Sequence, residues 1–374
     1  MVKILSHQPL LSNLNNLTYY LKKIDKKRYY SNFGPLYKQC KSRLEKYLNL
    51  KRNNIIITSC GHSSLLACCY LIKKQNPKKK YILVPSYSFQ SNPQSILQSG
   101  FEPIFVDINK ESLSLEDSQI DLALKKYKGI AAIMFVSPFG YPINIYYLNK
   151  IQKKYRLPII YDAADTFINF DKKEINESKI LITCSFHPTK TLPANESGMI
   201  IAPKKYLNSF NSIINFGFSS LQNKQTKSIG FNGKFSEYDA AILMANLDNI
   251  NNIKKNLIKN ISYIICQLES NKFINFQSFF GKTWLSLKFV IITNKIFNFR
   301  TLYRKFRYLH KIKIYKPWSL LPMHKHPFFS RFKKLSLKNT NFITKRIFCL
   351  PFSIDYKKKD LDRLVNLINK NFYK

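Results

Sequence analysis

The chain has 374 residues, 61 of them Lys or Arg against 21 Asp or Glu, for a formal net charge of +40. Its 45% hydrophobic content is too high for a disordered polycation. No apolar run reaches the roughly 18 residues that a membrane helix needs, and Met1–Asn16 lacks a continuous apolar h-region, so neither a membrane span nor a signal peptide is expected.

Taken in chain order, residues 1–34 read as a short helical arm ending in a turn. Gly34-Pro35 then opens a helix through Leu36, Cys40, Leu44 and Leu48, at 3–4-residue spacing. A β-type run, Asn54–Thr58, leads into the small-residue turn Ser59-Cys60-Gly61-His62-Ser63 and an apolar helix, Ser64–Ile72. A strand, a tight turn and a helix N-terminus together make an anion site, because free backbone N–H groups and the helix dipole face the same point.

Alternation continues with strands predicted at 81–84, 103–106, 130–136 and 157–161, and helices at 91–99, 115–126 and 145–155. Two further strands, 180–186 and 198–201, flank a loop. This period implies a largely parallel sheet covered on both faces, with ligands at the carboxyl ends of its strands. Ser59, Pro85, Asp162 and Ser185 all fall at those ends. Residues 237–268 read as one long helix free of Gly and Pro, with an apolar stripe from Ala240 to Leu268. Beyond Gly281, a strand at 283–293, a helix at 298–310 and a final helix at 359–371 describe a smaller α+β domain. The expected division is 1–250 for the arm and large domain and 251–374 for the small domain, linked by the long helix.

Two segments carry the chemistry. Tyr161-Asp162-Ala163-Ala164-Asp165 places a carboxylate at the end of an apolar strand, and Ser185-Phe186-His187-Pro188-Thr189-Lys190 places an amine just past another. With the anion turn at Gly61, these parts suit a phosphorylated, nitrogen-bearing aromatic cofactor. Pyridoxal 5′-phosphate needs a Lys for a Schiff base, an Asp facing the pyridinium, a phosphate cradle and an aromatic platform.

At this point the chain resembles the DegT/DnrJ/EryC1/StrS family of pyridoxal-phosphate-dependent nucleotide-sugar aminotransferases, almost end to end. The likeness runs from Tyr30-Ser31-Asn32-Phe33-Gly34-Pro35 through Ser59 to Leu65, Pro85 to Phe89 and Pro103 to Asp107. It continues through Val136 to Pro142, Asp162-Ala163-Ala164, Ser185 to Lys190, Gly230 to Lys234, Pro322-Met323-His324 and Cys349 to Phe352.

The resemblance implies an aspartate-aminotransferase-like fold, fold type I, a three-layer αβα sandwich with a smaller C-terminal α+β domain. It implies catalysis by Lys190 and Asp162, with Lys190 carrying the cofactor and moving protons and Asp162 keeping the pyridine nitrogen protonated. Phe89 would stack on the cofactor, while Gly61, His62 (through its backbone) and Ser185 would hold the phosphate. Asp165 would face the ring oxygen, Asn232 would reach the partner subunit's phosphate in a homodimer with shared active sites, and His324 would lie near the substrate. The reaction implied is ping-pong amination of a nucleotide-linked keto-sugar by an amino acid, glutamate foremost, in cell-surface polysaccharide or related glycan biosynthesis.

The sequence also departs from the family pattern. Cys60-Gly61-His62 replaces Ser-Gly-Thr, Glu196-Ser197-Gly198 replaces Glu-Gly-Gly, Lys234 stands where many members have Arg, and Asp165 stands in place of Gln. An ionised Asp165 cannot donate to a phenolic oxygen and would repel a phenolate, whereas a protonated one could donate. These departures motivate the alternative of an impaired or non-enzymatic paralogue. A related sugar 3-dehydratase is the other alternative, and Lys190 argues against it, because that branch carries His there.

The charge itself is attributed to drift in an AT-rich genome, since Lys is scattered, Asn, Ile, Phe and Tyr are abundant and Gly numbers only 10. No specific nucleic-acid partner is therefore expected. The seven Cys include no CxxC pair and lie mostly in apolar runs, which points to the reducing cytoplasm and to no metal site.

Overall fold

In the computed structural model, residues 4–10, 12–220 and 224–372 are described. The start of the expected arm, residues 1–3, and residue 11 lie outside them. Seven strands form the large sheet: β1 (Asn53–Thr58), β2 (Tyr81–Pro85), β3 (Glu102–Val106), β4 (Ile130–Val136), β5 (Ile159–Asp162), β6 (Leu181–Ser185) and β7 (Gly198–Pro203). Their order is β1-β7-β6-β5-β4-β2-β3. Only β7 runs antiparallel to its neighbours, which confirms the expected largely parallel sheet.

Alternating side chains on these strands enter two different cores, which is why the strands read as unbroken apolar runs. Ile55, Ile57, Leu83, Ile133, Phe135, Ile159 and Tyr161 pack on one face with helices 145–155 and 250–268. Ile56, Ile82, Val84, Ala132, Met134 and Ile160 pack on the other with helices 61–75 and 91–98. The result is the αβα sandwich. A smaller antiparallel sheet, ordered β10-β9-β8, follows from β8 (Ile274–Asn275), β9 (Phe289–Thr293) and β10 (Ile347–Leu350).

Register positions the site. Val136 pairs with Asp162, and Asp162 with Thr183, while Gly198 pairs with both Ser185 and Thr58. The strand ends at 58, 136, 162 and 185 are thereby brought into one row along one edge of the sheet.

Three expected elements differ. The long helix at 237–268 is two helices, Glu237–Asp248 and Ile250–Leu268, parted at Asn249. Asp248, the last residue of the first, accepts Arg43 Nη1 at 2.6 Å and the Tyr20 hydroxyl at 2.9 Å. The strand expected at 283–293 begins only at Phe289, because Leu285 bonds through its backbone N–H and C=O to the Asn169 side chain rather than to a ladder. The helix expected at 298–310 is α-helical over Phe299–Arg304 and then widens to a π turn over 305–309.

The helix Pro35–Tyr47 is tied to the helix that opens at Glu237. The Glu237 carboxylate is 2% exposed and accepts the backbone N–H groups of Leu36 at 2.7 Å and Tyr37 at 2.8 Å. It supplies from a distance the capping that Gly34 cannot. Glu237→Ala leaves both donors buried and unpaired, so the free energy of unfolding should fall by about 1–3 kcal/mol in chemical denaturation. A variant as stable as the wild type would contradict this capping role.

Candidate active site

A cavity of about 570 Å³ opens at this row of strand ends. Among its lining residues are Gly61, Phe89, Asp162, Asp165, Ser185 and Lys190. With His62, which lines it as well, the structure brings together seven of the nine residues singled out in the sequence.

The cradle forms where β1 turns into helix Gly61–Gln75. Cys60 caps the helix in extended conformation, with its Sγ accepting the Ser63 N–H at 3.4 Å. The Thr58 hydroxyl donates to the Cys60 carbonyl at 2.9 Å and lies 2.7 Å from the Ser64 hydroxyl, which stiffens the turn. A Cβ at Gly61 would meet the Ser185 Cβ at 2.8 Å, so only glycine allows this approach. The first N–H groups of a helix have no intrahelical acceptor and carry positive dipole character. His62 lines the cavity too, but its imidazole turns outward to Gln98 at 2.8 Å, which leaves its backbone to the cradle.

Asp162, the last residue of β5, is buried. Its Oδ2 accepts the Asn92 Nδ2 at 2.6 Å and its Oδ1 accepts the Ala164 N–H at 3.1 Å. Burial raises its pKa, opposed by Asn92, then by Lys190 and the Ala164 N–H. A carboxylate has about four acceptor positions, so capacity remains for a cationic N–H donor.

Lys190 follows a turn closed by its own N–H to the His187 carbonyl at 2.8 Å. Burial lowers its pKa to about 8, helped by the Lys288 ammonium and resisted by Asp165 and Asp162. Near pH 8 about half of the amine is then neutral and nucleophilic. Phe89 is 45% exposed at the cavity, a free aromatic face rather than a core side chain. His187 lies 2.9 Å from the Thr189 hydroxyl and 3.4 Å from Glu196, and burial lowers its pKa.

Two candidates lie elsewhere. His324 does not line the cavity. It is buried against Ser86, with Nδ1 2.6 Å from the Ser86 hydroxyl, and its pKa falls to about 4 through burial and then Lys325 and Lys334. It joins the 322–325 turn to Ser86 at the end of β2. Asn232 is exposed and away from this chain's own cavity, in a backbone bridge to Asn215.

Sequence reasoning missed Asn92, Lys288 and Trp318. Trp318 lines the cavity and packs on Phe139 at 4.6 Å and Tyr87 at 5.0 Å. Lys288, immediately before β9, pairs with Asp165 at 3.3 Å. The polar spacing of Asn92 on its helix was the one available signal; nothing local marked the other two.

The DegT/DnrJ/EryC1/StrS aminotransferase family model matches residues 14–369. The chain belongs to this family. The dTDP-4-amino-4,6-dideoxy-D-glucose transaminase of Shigella dysenteriae is 25% identical over 379 residues, covering 97% of each chain. The structure of NtdA from Bacillus subtilis with bound cofactor PMP aligns at a TM-score of 0.84 and 20% identity, over 96% of this chain and 82% of that one. DesI in the presence of its TDP-sugar product gives 0.84 and 20% identity over 98% and 92%.

With the family in hand, the cofactor of this cavity is pyridoxal phosphate, and the residues present fit it. The Gly61 turn suits a phosphate, Asp162 a pyridinium and Lys190 an aldehyde.

Two outcomes follow from this geometry. Asn92→Ala removes the hydrogen bond to the buried Asp162 carboxylate, worth about 1.5–3 kcal/mol. Pyridoxal phosphate should therefore bind roughly 10–100-fold more weakly in a fluorescence titration; unchanged affinity would remove Asn92 from the site. Capture of pyridoxal phosphate by cofactor-free protein needs the neutral Lys190 amine. Its rate should rise with pH through about 8 and level off above; a rise continuing to pH ~10 would indicate an ordinary lysine.

Proposed function

We propose that this protein transfers an amino group from an amino acid, glutamate foremost, to a nucleotide-linked keto-sugar. The observation that carries this reading is Lys190, its pKa lowered by burial, and a buried Asp162 lining one cavity with a helix-N-terminal anion cradle. The similarity to a sugar-nucleotide transaminase over 97% of both chains supports the substrate class.

Pyridoxal phosphate supplies the electron sink and carries the amino group between the two half-reactions. The protein does the rest. Asp162 holds a proton at the pyridine nitrogen, because a buried carboxylate is stabilised most by a cation beside it. The backbone at Gly61 and His62, with Ser185, fixes the phosphate. Phe89 offers the stacking face.

Lys190 binds the cofactor, and its Nζ, once released, moves a proton to and from the substrate carbon. A positioned general acid–base contributes about 10²–10⁴-fold. Excess positive charge on the chain favours approach of an anionic nucleotide-sugar.

The rest of the reading concerns assembly and setting. The chain works as a cytoplasmic homodimer in which Asn232 serves the partner's phosphate, and the product feeds polysaccharide or related glycan biosynthesis. A large domain over 1–250 and a small one over 251–374 close the site between them, although segment 322–340 returns to the edge of β3. Among the described residues, no helix is long and apolar enough to cross a membrane.

Lys190→Ala should lose about 10³-fold or more in turnover of a keto-sugar nucleotide with glutamate while keeping its circular dichroism spectrum. Activity within tenfold of wild type would refute the assignment.

A further inference from the structure

Asp165 has lost nearly all contact with solvent, at 3% exposure, and neither of its carboxylate oxygens makes a hydrogen bond among the described residues. A buried carboxylate in that state is costly unless a cation balances it. The cation is Lys288, whose Nζ lies 3.3 Å from Oδ2 and whose side chain is 13% exposed.

Lys288 reaches this place because the chain before β9 is not a strand. Asn169 holds Leu285, Ser286 accepts the Lys288 N–H at 2.9 Å, and the side chain is delivered into the cavity wall. Lys190 lines the same cavity, and the Lys288 charge helps lower its pKa. The other groups that feel this charge are Asp162, His187, His7 of the N-terminal arm and Cys349 of β10.

We propose that Lys288, held by Asp165, is a positioning residue that sets the charge at the Lys190 end of the cofactor site. This rests on the transaminase reading above. The ammonium opposes a proton on the nitrogen that Lys190 contributes and favours an anionic ring oxygen on the cofactor. Asp165 anchors the ammonium and moderates it. An ion pair thus occupies the position where the sequence raised a conflict between Asp165 and a phenolate, and the positive member resolves that conflict.

The test is the visible absorption of the holoenzyme titrated with pH, since the band reports the proton on the Lys190–cofactor nitrogen. Lys288→Met removes a cation and leaves Asp165 unbalanced, so the midpoint should move to higher pH by at least about half a unit, a threefold change in proton affinity. Asp165→Asn removes the opposing anion, so the midpoint should move to lower pH.

Opposite shifts, with the double variant between them and Lys288→Arg close to wild type, support the proposal. Midpoints that stay at the wild-type value, or that move in the same direction, overturn it. If Lys288→Met does not retain cofactor, Asp165→Asn alone decides, and an unmoved midpoint there overturns the proposal. A wild-type protein with no titrating band would instead remove the transaminase reading, and this inference with it.

Discussion

A carboxylate with 5% of its surface exposed ends β5, and much of the surrounding structure answers the cost of putting it there. Water cannot stabilise Asp162, so the protein does so with Asn92, the Ala164 N–H and the nearby Lys190 and Lys288 charges. The same burial that raises Asp162 lowers Lys190, because desolvation penalises either sign of charge. One constraint, burial at the carboxyl edge of the sheet, therefore both lowers the pKa of the amine and leaves a carboxylate with capacity for a cationic partner. The register that aligns 58, 136, 162 and 185 produces this cavity, and the two cores on either face of the sheet fix the register.

Seen from that cavity, the +40 charge separates into background and function. Most lysines lie on the surface, but Lys288 pairs with Asp165, and Lys190 lines the same cavity as Asp162. The few acidic residues are used economically: Glu237 caps a distant helix, Asp162 and Asp165 face the cofactor site, and Asp107 takes the N–H groups of Asn339 and Thr340 where the C-terminal part of the chain returns to the large sheet.

Much of this was legible in the sequence, and the pattern of what was not is physical. The strand at 130–136 and the helix at 145–155 were read to the residue; in the structure the Asn144 side chain caps that helix by accepting the Tyr147 N–H. Asp162, Gly61 and Lys190 were readable because each ends or follows a strand in an alternating βα chain, where topology alone brings strand ends together. Three features depend on contacts between distant segments, which no local period encodes: the break at Asn249, the late start of β9 and the entry of Lys288. His324 shows a different outcome. A polar residue in a suggestive motif turned inward to Ser86, because the 322–325 turn needed an anchor at β2.

The central claim is that this sheet edge presents one lysine, among many, to pyridoxal phosphate. It is tested most directly by borohydride reduction of the holoenzyme followed by peptide mass mapping. The account predicts a single phosphopyridoxyl group on Lys190. Its appearance on another lysine, or on none while Lys190 remains unmodified, would contradict the account.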